Sequence, residues 1–118
     1  MDIVQQFEEF RSRMNEKILA SDNLLIKRIY HLDSLAFEKG SLDETTKELI
    51  GLTCSLVLRC DDCVKYHLRR CNDLRLPREA LFEALSLATL IGGTIVIPHL
   101  RRAVDFMEEL NQNASKGS

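Results

Sequence analysis

The sequence predicts an all-α single domain of about six helices. Only two prolines and five glycines punctuate 118 residues, and apolar residues recur at steps of three and four between them. The one β-branched run, Thr94 to Ile97, is short and has no second strand to pair with, so it reads as a connector. At this length the chain can bury one real core but not two. It shows no internal repeat and no inner linker.

From Ile3 to Leu19 the residues Ile3, Phe7, Phe10, Met14 and Ile18 follow helical spacing, with acids and arginines between them. Ser21 or Asp22 is placed to cap a second helix, Leu24 to Phe37, which stops at Gly40. Asp43 or Ser41 caps a third, Glu44 to about Leu58, whose second half is apolar nearly all round and therefore central. A fourth opens at Cys60 and runs to about Asp73. Pro77 suits the first position of a fifth, ending at Ile91 before Gly92-Gly93. Pro98 pushes Ile97 toward an extended backbone and opens a last amphipathic helix through Val104, Met107 and Leu110. The small polar residues 111–118 are expected to form a flexible, fraying tail.

The charge balance excludes some classes of partner. A formal net charge of -2, with arginines interleaved among acids, leaves no basic footprint for nucleic acid. No apolar run approaches the ~20 residues that span a bilayer, so no membrane partner is expected. The acidic, amphipathic start MDIVQQFEEF is not a signal peptide, and a cytoplasmic location is expected. In that compartment four cysteines are better read as redox, catalytic or metal-binding than as structural disulfides.

The chemistry concentrates in RCDDCVKYHLRRC, Arg59 to Cys71. Cys60, Cys63 and His67 form C-x-x-C-x-x-x-H, and on a helix steps of three and four bring neighbours onto one face. Two thiols so spaced can close a disulfide, and a thiolate beside an imidazole or a helix N-terminus becomes reactive. No strand precedes the pair, so a thioredoxin-type strand-to-helix site is not indicated. Cys63 and His67 are one turn apart, about 6 Å of rise, so the imidazole can take the thiol proton. Peroxide would convert such a thiolate to a sulfenic acid, and a neighbouring thiol would condense with it to a disulfide. Local physics leaves the attacking sulfur open: Cys60, at the helix start, would feel the dipole and be the more exposed.

Glu48, the Cys60-x-x-Cys63-x-x-x-His67 motif, a proline-led helix closing in Gly92-Gly93 and a final Pro98-led helix together resemble the carboxymuconolactone decarboxylase-like superfamily. The resemblance is closer to its alkylhydroperoxidase AhpD branch and covers about Ser41 to Glu109. It implies an all-helical bundle assembling into a ring of three or six copies, six being favoured, with no bound cofactor or metal. It implies hydroperoxide or disulfide reduction, with Cys63 as the attacking sulfur, Cys60 as the resolving thiol, and His67 and Glu48 as the proton relay. The oxidised pair would be re-reduced by an external dithiol donor of the lipoyl type, with Cys60 as the sulfur that donor meets. Some members carry a histidine between the two cysteines where Asp61 and Asp62 stand here. Acids beside a thiol raise its pKa, so the substitution bears on the rate.

Glu48 cannot reach Cys60 along one straight helix, because twelve residues span about 18 Å. A reversal near Arg59 would make the third and fourth helices antiparallel and bring Glu48 level with His67. Plainer readings stand beside these. Cys60, Cys63, His67 and Cys71 are ligands zinc would accept, but along a continuous helix they spread over about 16 Å. Cys54 and Cys71 read as buried small hydrophobes, and His31 and His99 as surface or capping residues. Tyr66 points away from His67, and Arg69, Arg70, Arg101 and Arg102 form a solvated or intersubunit face. A decarboxylase acting on a lactone acid would need no cysteine pair. A non-catalytic redox-sensing oligomer is the other alternative.

Overall fold

The computed structural model describes the backbone of residues 1–116 and the side chains of residues 1–114. Six α-helices make up the described chain: α1 Ile3–Ala20, α2 Leu24–Ala36, α3 Glu44–Val57, α4 Asp61–Asp73, α5 Arg78–Gly92 and α6 Ile97–Lys116. A 3₁₀ turn, Thr94–Val96, lies where a connector was expected.

Side-chain caps set several of the starts. Asp2 and Gln5 form a capping box on α1, Asn23 rather than Ser21 or Asp22 caps α2, and Asp43 caps α3. Pro77 stands just outside α5 as its N-cap instead of as its first residue. Ile97, expected to be extended ahead of Pro98, is helical (φ -56°, ψ -41°). The pre-proline bias is a preference, and burial of Val96, the last residue of the 3₁₀ turn, outweighs it. α6 also continues past Leu110 to Lys116, taking in most of the residues read as a tail; Gly117 and Ser118 lie outside the described residues.

The core is a layer of α3, α4, α5 and α6. Leu52 and Leu56 of α3 meet Val64 and Leu68 of α4, Leu85 and Ala88 of α5, and Phe106 and Met107 of α6, all essentially sealed from solvent. Their spacing of three and four within each helix is the amphipathic pattern made physical. α1 lies across α6 through Val4 and Phe7, whose ring meets Phe106 edge-on at 5.5 Å. α2 has no buried residue.

The chain reverses between α3 and α4 in a tight turn. Cys60 N–H donates to the Ser55 carbonyl (3.0 Å) and Arg59 N–H to that of Leu56 (2.9 Å), the paired bonds that close a helix end. Arg59 holds the left-handed conformation this needs (φ 61°), a place normally given to glycine. The expected antiparallel pair therefore forms, and it positions the site.

Candidate active site

Cys60 is the N-cap of α4, its Sγ accepting the Cys63 N–H at 3.3 Å. Cys60 and Cys63 are disulfide-paired, with 5.3 Å between their Cα atoms. Cys63 is exposed and Cys60 only half so, which reverses the expectation that the helix-start sulfur is the more accessible. The reversal has a local cause: an N-cap side chain folds back over the first turn to meet its amides, whereas a residue at the third helical position projects outward.

One turn further on, His67 is buried at 9% exposure and Glu48 at 2%. His67 Nδ1 and Glu48 Oε2 are 2.7 Å apart. With the carboxylate ionised, Nδ1–H donates, and the tautomer leaves Nε2 as the basic nitrogen. No hydrogen bond joins the ring to either sulfur in the disulfide-paired state, but His67 and Cys63 line the same cleft. That cleft, about 770 Å³, has the apolar face of α1 as its far wall: Ile3, Phe7, Phe10 and Met14. Arg11 stacks over Tyr66 at 4.2 Å. Phe37, just past α2, and Tyr66 each place a ring centroid 5.2 Å from that of His67. Tyr66 therefore does not point away, since two large rings on successive helical positions can still touch edge to face. Arg70 Nε stands 3.6 Å from Glu48 Oε1, so one arginine of the supposed solvated face backs the buried carboxylate.

The acids between the cysteines are treated unequally. Asp61 accepts from Arg102 Nε at 2.9 Å and lies 2.8 Å from His99 Nδ1, so α6 is tied to the first turn of α4. Burial works against the ionised form of Asp61, but hydrogen bonds from His99 and Arg102, and their charges, outweigh it and hold the carboxyl below its usual range. Much of the Asp61 charge is thus neutralised before it can oppose a neighbouring thiolate. Asp62 stays exposed and lines the cleft. His99 and Arg102 were not legible as site residues, because they lie 38 and 41 residues from Asp61 with no local pattern linking them.

Since the folded pKa of Asp61 is depressed, its ion pairing stabilises the protein fully above the unfolded value of 3.8 and is lost as pH falls through the lower folded value. Asp61→Asn is expected to lower the urea midpoint at neutral pH and to converge with wild type in acid. Parallel curves at every pH would show that the cluster contributes nothing through its charge.

The other two cysteines part company. Cys71 is fully buried in the core, and burial first, then the nearby Glu48 charge, pushes its thiol up to about 12; it is inert at neutral pH. Cys54, expected to be buried, is exposed on the outer side of α3.

Among solved structures, a carboxymuconolactone decarboxylase family protein from Thermotoga maritima, described as a candidate participant in an antioxidative response, is 51% identical. It aligns over 95% of each chain with a TM-score of 0.90. A family member from Legionella pneumophila is 25% identical over 93% of this chain and 98% of its own (TM-score 0.84). In sequence, an alkyl hydroperoxide reductase AhpD from Corynebacterium kroppenstedtii is 34% identical over 55 residues, 47% of this chain and 32% of that one. An uncharacterized protein from Cupriavidus necator is 33% identical over 64% of this chain and 67% of its own. Residues 24–106 match the model of the Carboxymuconolactone decarboxylase family. With most of the chain inside that match, and the AhpD branch represented among its relatives, the protein belongs to the carboxymuconolactone decarboxylase family.

Proposed function

We propose that this protein is a dithiol oxidoreductase that reduces hydroperoxides or disulfides through Cys60 and Cys63. The observation that carries the reading is one cleft lined by both Cys63, paired with Cys60 at a helix N-terminus, and a buried imidazole fixed by a buried carboxylate. The AhpD relative and the antioxidative description of the Thermotoga protein support it.

In the reduced protein His67 Nε2 takes the Cys63 proton. The thiolate attacks the distal oxygen of the hydroperoxide, the O–O bond breaks, and the imidazolium returns a proton to the departing alkoxide. Sulfur gives up two electrons, leaving Cys63 sulfenic acid and an alcohol. The Cys60 thiol then condenses with it, a disulfide forms and water leaves. An external dithiol of the lipoyl type, attacking the exposed Cys63 sulfur, would expel Cys60 as a thiolate. The α4 N-terminus favours that anion, and a better leaving group speeds exchange. The donor's second thiol releases it as a cyclic disulfide. On this proposal the donor attacks Cys63, the more exposed residue of the pair, in place of Cys60. A cytoplasmic setting rich in dithiol donors suits such turnover. Lactone-acid decarboxylation, the chemistry in the family's name, has no use for the pair.

Stoichiometric hydroperoxide added to the reduced protein is expected to remove two thiols per chain, Cys60 and Cys63, while Cys54 and Cys71 remain free by mass spectrometry. Four surviving thiols would sink the reading in favour of a decarboxylase or scaffold.

The same proposal includes a homo-oligomer, a hexamer before a trimer. Leu25, Ile29 and Leu32 make an exposed apolar stripe on α2, and Leu87, Leu90 and Ile91 another at the end of α5; stripes of that kind ask for cover. Ile29→Asp should split the assembly in sedimentation velocity, and an unchanged mass would place the interface elsewhere.

A further inference from the structure

We infer that Gly51 is the seat of the His67 imidazole: a positioning residue whose missing side chain lets the ring lie against α3 and reach Glu48. The inference rests on the reading that His67 governs the ionisation of the dithiol, and it adds a residue that the Cys-x-x-Cys-x-x-x-His motif does not contain.

Gly51 lies in the middle of α3, where glycine is among the least favourable residues. Its φ is not positive, so no turn or left-handed backbone explains it. Close approach does. A Cβ built on Gly51 would stand 2.6 Å from His67 Cε1, 2.8 Å from Nε2 and 2.9 Å from Nδ1. The atoms met are the two ring nitrogens and the carbon between them, so the collision falls on the part of the imidazole that carries its chemistry.

Glu48 and Gly51 are three residues apart and share the helix face that meets α4. The ring is therefore held twice by α3: bonded to the Glu48 carboxylate at 2.7 Å and laid over the bare Cα of Gly51. Phe37 and Tyr66 close on it as well. To move from 2.6 Å to the 3.4 Å of an ordinary contact, the ring has to retreat, and retreat draws Nδ1 from Glu48 and re-aims Nε2. Ring atoms at the end of a side chain yield before two packed helices part. Alanine is also the better helix former here. Gly51→Ala should accordingly keep the fold and lose the alignment.

The test uses Gly51→Ala, His67→Asn and the double variant in the reduced full-length protein, with two readouts. One is the pH dependence of Cys63 alkylation; the other is the ¹⁵N signature of the His67 ring, which reports tautomer and hydrogen bonding. Gly51→Ala is expected to keep wild-type helix content and melting behaviour. It should slow Cys63 alkylation at neutral pH about tenfold, as an upward move of one unit in thiol pKa would, and shift the ring signature. Added to His67→Asn it should change nothing further, the non-additivity of two residues acting through one group.

Wild-type alkylation and ring signature in Gly51→Ala would overturn the inference, as would failure to fold or an equal loss in the His67→Asn background. Should His67→Asn itself alkylate like wild type, the functional reading fails instead. The ring signature alone then decides Gly51: a shift upholds it as the seat of the ring, and no shift overturns it.

Discussion

Cys63→Ser is expected to abolish hydroperoxide turnover, while Cys60→Ser retains a single round. Removing the nucleophile of a covalent mechanism leaves no alternative route, so the fall should be at least about a thousandfold. A serine hydroxyl does not substitute, because its proton is too tightly held for the same imidazole to remove and oxygen cannot form the sulfenic acid. In Cys60→Ser the attacking sulfur, the cleft and His67 are intact. One equivalent of hydroperoxide per chain should be consumed in a fast phase, leaving a sulfenic acid on Cys63 that a dimedone-type trap captures. Turnover then stops for want of a resolving thiol. Stopped-flow measurement of both variants, with mass spectrometry of the trapped adduct, checks the asymmetry. Trapping on Cys60 in Cys63→Ser, with Cys60→Ser inert, would reverse the two roles.

The second large effect belongs to Glu48. Glu48→Ala removes the partner of a buried imidazole, and leaving the buried Nδ1–H donor unmatched costs about 1–3 kcal/mol. It also removes one of the two carboxylates beside Arg70, which keeps Asp73 at 3.5 Å. Glu48→Gln separates stability from chemistry. Its amide oxygen can still accept from Nδ1–H, so most of the stability should survive. It no longer offers a negative charge to the imidazolium that forms when the thiol is deprotonated. A rate loss of about a hundredfold is the scale for a positioned acid–base group. Urea titrations beside peroxidase rates would show Ala losing both properties and Gln mainly the second. Equal stability of Glu48→Ala and wild type would mean that the pair does not hold the site together.

The helices and the motif could be read from spacing alone because both are local. The apolar steps of α3 through α6 become the core in Leu52, Leu68, Leu85 and Phe106, and a reversal at Arg59 follows once Glu48 has to meet His67. The ends of α3 and α4 were legible to within one residue, although each closes on an arginine in the left-handed conformation, Arg59 and Arg75, with no glycine to mark it. At α6 no proline or glycine stands before Gly117 to announce a stop. What escaped entirely was tertiary: the α6 groups that hold Asp61, the wall α1 contributes to the cleft, Phe37 against the imidazole, and Cys54 facing outward. Those depend on how helices cross, which residue spacing does not encode.

α2 is the helix with no interior of its own, yet the segment leaving it carries Phe37 onto the His67 ring, and Lys47 Nζ grips that segment through the carbonyls of Ala36 (2.8 Å) and Glu38 (2.6 Å). If a neighbouring copy covers the stripe on α2, quaternary contact and the surroundings of the general base become thermodynamically linked. Mass action would then reach the chemistry: dilution below the dissociation constant would loosen one side of the imidazole's enclosure while leaving the sulfurs in place. Specific activity would fall with protein concentration even though each polypeptide stays folded.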